Sequence, residues 1–160
     1  MNEMWDDIKK FHQQFLLPQN ELPALLEKEL YEFRFKFMHE ELAEFEDACQ
    51  QLDMVKAFDA LLDLVYVAMG TAYMMNLPWE EGWVQVQAAN MRKTRAKIPS
   101  DSKRGSSYDV VKPEGWVGPN KMLLACVYVH EHELLLNKMY RTITESLQIP
   151  KASRPDKGDA

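Results

Sequence analysis

At 160 residues the chain is long enough for one domain with a core of its own. Its composition, 46% hydrophobic and 28% charged, is that of a globular protein, and a net charge of −6 argues against nonspecific nucleic-acid binding as the main task. Cys49 and Cys126 have no metal-ligand spacing and suggest no disulfide framework, and MNEMWDDIKK lacks a signal-peptide core, so a reduced cytoplasmic setting is expected.

In chain order, Trp5, Ile8, Phe11 and Phe15 recur at steps of three and four, predicting an amphipathic helix over 4–17 that Pro18 ends. A long helix is expected over 24–52 and another over 55–75, separated by a break at Gln50-Gln51-Leu52-Asp53. Pro78 suits the first turn of a helix over 79–95, with Glu80 and Glu81 at its positive end. The segment from Arg92 to Lys112 then holds seven cations and two acids, so it carries +5 and leaves −11 to the rest of the chain. Residues 98–119 are rich in Ser, Gly and Pro and read as a loop or lid. Periodic apolar residues over 121–146 predict a last helix, although LLACVYV also fits a short strand, and the tail from Pro150 reads as disordered.

The two long helices carry the chemistry. Glu40, Glu41 and Glu44 fall within roughly a third of a helical circumference, on an arc that also holds Phe33 and Phe37 and is therefore expected to be buried. Asp59 and Asp63 stack one turn apart in an otherwise apolar helix, with Tyr66 and Gly70 continuing the line. Ionised side chains are costly there unless paired or metal-bound, and five acids with few cations between them read as a cage for a hard divalent ion, Mg²⁺ or Mn²⁺. The bland alternative is a solvated acidic helix face, which leaves Asp59 and Asp63 unexplained. Those same aspartates argue against the apolar run as a membrane span. A di-iron bundle needs Glu-x-x-His motifs, and none of His12, His39, His130 or His132 has a Glu three residues before it. His130 and His132 would point apart on a helix and read as surface. The basic segment is either a solvated loop or a flap whose Lys and Arg meet a polyanion held by the acids, as a triphosphate would be; no Gly-rich P-loop is present.

Several stretches together resemble the all-α nucleoside triphosphate pyrophosphohydrolases, the superfamily of MazG and phosphoribosyl-ATP pyrophosphohydrolase. They are Phe11-His12, Arg34 seven residues before Glu41, Glu40-Glu41-x-x-Glu44, Asp59-Ala-Leu-Leu-Asp63-Leu-Val-Tyr66, Gly70-Thr71-Ala72 and Asn90-Met91-Arg92-Lys93. Arg104-Gly105-Ser106 and Lys112-Pro113-x-Gly115-Trp116 resemble the lid of a branch often found in phages and bacteria. The resemblance implies an all-α bundle of about four to six helices, completed by oligomerisation into a homodimer or homotetramer. It implies Mg²⁺-dependent hydrolysis of a nucleoside triphosphate, a deoxy one by preference, to the monophosphate and pyrophosphate, with no nucleic-acid or membrane partner. Glu41, Glu44, Asp59 and Asp63 would hold the metal, Glu40 would orient or deprotonate the attacking water, and Asn90, Lys93 and Lys112 would contact the nucleotide.

The chain departs from the family pattern at one place. The second metal motif is usually Glu-x-x-Asp, whereas Ala60 stands three residues before Asp63 and Lys56 three before Asp59, so Asp59 is the expected substitute. That departure keeps open a second class, a non-catalytic helical protein that binds nucleotide or a partner. The organisation expected is a catalytic domain over 1–120, a helical extension over 121–148 and a tail over 149–160.

Overall fold

The computed structural model describes residues 3–147, so the expected disordered tail lies outside the described residues. Among these residues five α-helices follow in order: α1 (Glu3–Gln14), α2 (Lys28–Gln50), α3 (Met54–Met74), α4 (Trp79–Asn90) and α5 (Asn120–Ser146). Two short strands, β1 (Thr94–Arg95) and β2 (Val110–Val111), pair antiparallel with Thr94 opposite Val111 and Arg95 opposite Val110. The fold is all-α apart from that ribbon. LLACVYV is helical, which resolves the ambiguity left by its composition. The helix expected over 79–95 stops at Asn90, because a turn through Met91 and Arg92 leads the chain into β1.

The first three helices end alike, and without glycine. Leu16, Leu52 and Asn76 adopt φ of 51°, 56° and 54°. In each case the next residue's N–H reaches back to the last turn: Leu17 to the His12 carbonyl, Asp53 to Ala48 and Leu77 to Ala72, at 3.0, 2.9 and 3.0 Å. These are Schellman closures, which satisfy carbonyls that a helix end otherwise leaves bare. Asn76 does more than turn the chain. Its Nδ2 donates to the carbonyls of Asn20 and Glu21, and its Oδ1 meets His130 Nε2 at 3.1 Å. One side chain thereby ties the α1–α2 connection and α5 to the end of α3.

By length and composition α3 would suit a membrane span, but it is the central helix of the bundle, with α1, α2 and α4 packed against it. The hydrophobic core lies between α1 and the C-terminal half of α3, where Trp5, Ile8, Met69, Ala72 and Tyr73 are buried and Trp5 stacks on Trp79 at 5.9 Å. Against α2 the contact is more polar. The buried residues of α2 are Arg34, Glu41 and Ala48, seven apart and so on one line. Phe33, expected on a buried arc, is 56% exposed, and Phe37 is half-buried. The reason is that the main contact of α2 is with α3, and Phe33 lies beside that contact rather than in it.

Gly70 sets the closeness of the three-helix junction. A Cβ at Gly70 would lie 2.7 Å from His12 Nε2 and 3.1 Å from Arg34 Nη2. Both neighbours are buried, so neither can swing into solvent. We expect Gly70→Ala to lose about 1–3 kcal/mol by overpacking, against roughly 1 kcal/mol of helix propensity regained. Urea denaturation of the two proteins checks this, and a more stable variant would refute it.

His12 is 2% exposed and its Nδ1 has no hydrogen-bond partner. Burial, and then the Arg34 charge, push the imidazole below the usual histidine range. The native state therefore refuses a proton that the unfolded chain accepts, so the contribution is complete above the unfolded pKa of about 6.5 and is lost as pH falls towards the lowered native value. The urea midpoint should drop between pH 7 and pH 5.5 in the parent and drop less in His12→Gln. Identical pH slopes in the two proteins would exclude His12 as the source.

Candidate active site

Helices α2 and α3 form an antiparallel hairpin closed by a short turn, with Asp53 capping α3 through Lys56 N at 3.0 Å. The hairpin brings the two acidic motifs face to face. Glu41, in the buried line of α2, is 7% exposed and makes no hydrogen bond or ion pair among the described residues. Its carboxyl is pushed above the usual carboxylate range, first by burial and then by the charges of Asp63, Glu44, Glu40 and Asp59. The other four acids singled out in the sequence therefore all bear on Glu41.

The surroundings differ from expectation in one respect. Asp59 and Asp63 are exposed rather than buried, as are Glu40 and Glu44. Although α3 is apolar nearly all round, only one side of this half is covered: Ala60 and Val67 are buried, whereas Phe58, Leu61, Leu62 and Val65 face out. Among the described residues no group of three or more His, Cys, Asp or Glu is arranged to hold a metal ion. The fit of a divalent cation therefore rests on donor type, which is carboxylate oxygen throughout, and on the uncompensated negative charge around Glu41. On those two counts the residues suit Mg²⁺.

The basic residues gather elsewhere, around Trp116. Lys112 Nζ lies 4.6 Å and Lys93 Nζ 5.8 Å from its ring centre. The indole Nε1 donates to the Ala89 carbonyl at 2.9 Å, and Arg92 donates to the Val117 carbonyl at 3.1 Å. These contacts fasten the loop after β2 to the end of α4 and put Lys112 beside Lys93 and the Asn90 turn. Lys93 follows α4 instead of lying on it, and its N–H bonds to the Asn90 carbonyl at 3.0 Å. Asn90 and Lys112 are exposed and Lys93 is half-buried. Among the described residues no ion pair joins this cluster to the five acids.

The rest of the loop is built on Asp109. Ser102 Oγ donates to it at 2.6 Å and Arg104 Nη1 at 2.7 Å, which together hold its carboxyl below the usual range. Arg104 is thus engaged within the loop. His130 and His132 lie on α5, two apart and pointing to different sides; His132 is exposed as expected, whereas His130 is half-buried against Asn76 and so departs from its reading as surface.

Spacing alone did not bring out Trp116 or Arg34. Arg34 is 7% exposed, its Nη2 donates to the Val67 carbonyl at 2.7 Å and its Nε to Thr71 Oγ1 at 3.0 Å. The available signal was its position seven residues before Glu41, which puts both on one face of a helix.

A family model described as phosphoribosyl-ATP pyrophosphohydrolase matches residues 8–90, just over half of the chain. The match runs from the middle of α1 to the end of α4, so it includes all five acids and Asn90 but not Lys93, Lys112, Trp116 or α5. No curated protein matches the chain.

Proposed function

The chain belongs to the phosphoribosyl-ATP pyrophosphohydrolase family, and from that premise we propose that it hydrolyses a nucleoside triphosphate, with preference for a deoxynucleotide, to the monophosphate and pyrophosphate. The observation that carries this reading is Glu41, a buried carboxylate facing four others with no cation paired to it. Such an arrangement is unfavourable for a merely structural helix pair and suited to a cationic cofactor.

Glu41, Glu44, Asp59 and Asp63 would hold Mg²⁺, with Mn²⁺ a possible substitute. The ion would supply charge neutralisation at the phosphates and a more acidic bound water. The chain's own residues then have separate tasks. Glu40, exposed beside Glu41, takes a proton from the attacking water. The water oxygen forms a bond to the α-phosphorus, the bond from that phosphorus to the bridging oxygen breaks, and pyrophosphate leaves with the electron pair. Lys93 and Lys112, held on one indole, meet the phosphates from the side opposite the acids, and Asn90 contacts the nucleotide.

The same reading includes a homodimer or homotetramer. Val55, Phe58, Leu62 and Val65 follow the three-and-four spacing of one helical stripe and are all exposed, Phe58 by 62%. A contiguous apolar stripe of this kind beside a catalytic groove fits burial against a second copy. Light scattering on the purified protein gives the assembly mass directly. The catalytic proposal is tested by pyrophosphate release with Mg²⁺ over a panel of ribo- and deoxynucleoside triphosphates. Release from at least one of them is expected, and silence across the panel would refute the reading.

A further inference from the structure

Two turns along α2 from Glu41, the groove between α2 and α3 opens into a cavity of about 480 Å³. Tyr31, Phe35, Met38 and Met75 form apolar walls, and Arg34 and Thr71 are the polar groups in the lining. Arg34 is the notable member. It is more than nine-tenths buried, it has no carboxylate partner, and the protein already occupies its Nε and Nη2. Nη1 makes no hydrogen bond among the described residues, and it is absent from the fully enclosed atoms left unpartnered, which reduce to His12 Nδ1. A donor group therefore remains free on a side chain that lines the cavity. Its two internal bonds, the Phe37 ring 5.5 Å from its Cζ and the close approach of Gly70 hold it in place.

Aromatic and thioether walls suit a flat, polarisable ring, and guanidinium offers donors only. A ligand that satisfies both presents a carbonyl oxygen on the edge of such a ring. Arg34 and Glu41 are seven residues apart on one helix line, about 10 Å at 1.5 Å per residue, so the cavity and the acids belong to one groove.

Resting on the hydrolase reading above, we propose that this cavity receives the base of the nucleotide and that Arg34 donates to the carbonyl at C4 of a pyrimidine or C6 of a purine. The site thereby favours bases with a keto group there, uracil, thymine or guanine, over cytosine or adenine, which present an amino group. An amino edge would leave the guanidinium unpaired against another donor, the mismatch that polar pockets reject most strongly.

The test uses the full chain in metal-free buffer, with methionine methyls labelled for NMR and assigned by single Met variants. Deoxyuridine and deoxycytidine, which lack phosphates, are titrated in turn. Deoxyuridine should shift the Met38 and Met75 methyls, and deoxycytidine should need at least five times the concentration. Filling the cavity with Met38→Trp should remove the response of the remaining Met75 methyl without touching Arg34. In turnover assays Met38→Trp should raise KM for the uracil triphosphate at least tenfold, with most of the loss in KM. Arg34→Lys, where it folds, should narrow the uracil-over-cytosine preference. Equal responses to the two nucleosides, or methyl shifts that follow protein concentration alone because a second copy fills the cavity, would overturn the proposal. The two readings separate cleanly. Turnover without a response at Met38 and Met75 removes the pocket and leaves the hydrolase, whereas the nucleoside response without turnover of any triphosphate removes the hydrolase and leaves the pocket.

Discussion

Glu41→Gln and Asp63→Asn should each abolish Mg²⁺-dependent turnover while leaving the fold intact. The amide keeps the shape of the side chain and removes the charge that a hard cation requires. The stability of the variants separates this from a folding defect. In the native protein the Glu41 carboxyl sits above its ordinary range because of burial and four neighbouring acids. A group whose native pKa is raised stabilises most below its unfolded value, and that contribution is lost as pH rises through the native one. At neutral pH without metal, ionised Glu41 therefore works against the fold, and Glu41→Gln should unfold at the same urea concentration as the parent or a higher one. With Mg²⁺ the order should reverse, since only the parent gains by binding it. If either variant retains a tenth of parental activity at saturating Mg²⁺, that residue is not a ligand. Asp59→Asn extends the test to the family glutamate that Ala60 replaces. Damage close to that of Asp63→Asn means Asp59 has taken over the role, and parental kinetics mean a reduced metal site.

The second large effect concerns Trp116. Lys93→Ala and Lys112→Ala should weaken a non-hydrolysable triphosphate more than the matching monophosphate, because Coulomb attraction scales with ligand charge. Loss of one charge-assisted contact corresponds to about 1.5–3 kcal/mol, or roughly a tenfold to hundredfold change in affinity. Lys93 should matter more, since it is half-buried and Lys112 is exposed. Trp116→Leu removes the ring under both ammonium groups and the indole bond to the Ala89 carbonyl together. It should approach the combined loss of the two lysine variants, whereas Trp116→Phe keeps a ring face and should recover part of it. Calorimetry with both ligands decides the matter. Equal losses for triphosphate and monophosphate would show that the cations shape the site generally, and no loss would return the segment to a solvated loop.

Much of this architecture was legible in the chain itself, for local reasons. The five helices of the described residues were expected close to where they lie, and Pro78 marked the start of α4, although α1 closes at Gln14, ahead of the Pro18 expected to end it. The spacing of Glu40, Glu41 and Glu44, and of Asp59 and Asp63, follows from helical geometry alone, so their convergence needed only that the two helices form a hairpin. Helix ends were less legible. Leucines at 16 and 52 take a left-handed conformation that sequence rules assign to glycine, because the Schellman bonds and the packing around them outweigh a steric penalty of about 1–2 kcal/mol.

What only the tertiary structure decided is which side of each helix is covered. A helical wheel gives relative phase and says nothing of where the neighbour stands, and both long helices are apolar on more than one side. Contact with α3 selects the line through Arg34, Glu41 and Ala48 on α2 and leaves Phe33, Phe58 and the aspartates at the surface. It also makes one glutamate of the three the buried one, and gives the cavity beside it an arginine with a donor to spare. The meeting of Lys93 and Lys112 on Trp116 is likewise a tertiary event, since a 19-residue separation between the two lysines is bridged by the β1–β2 ribbon and not by any local repeat.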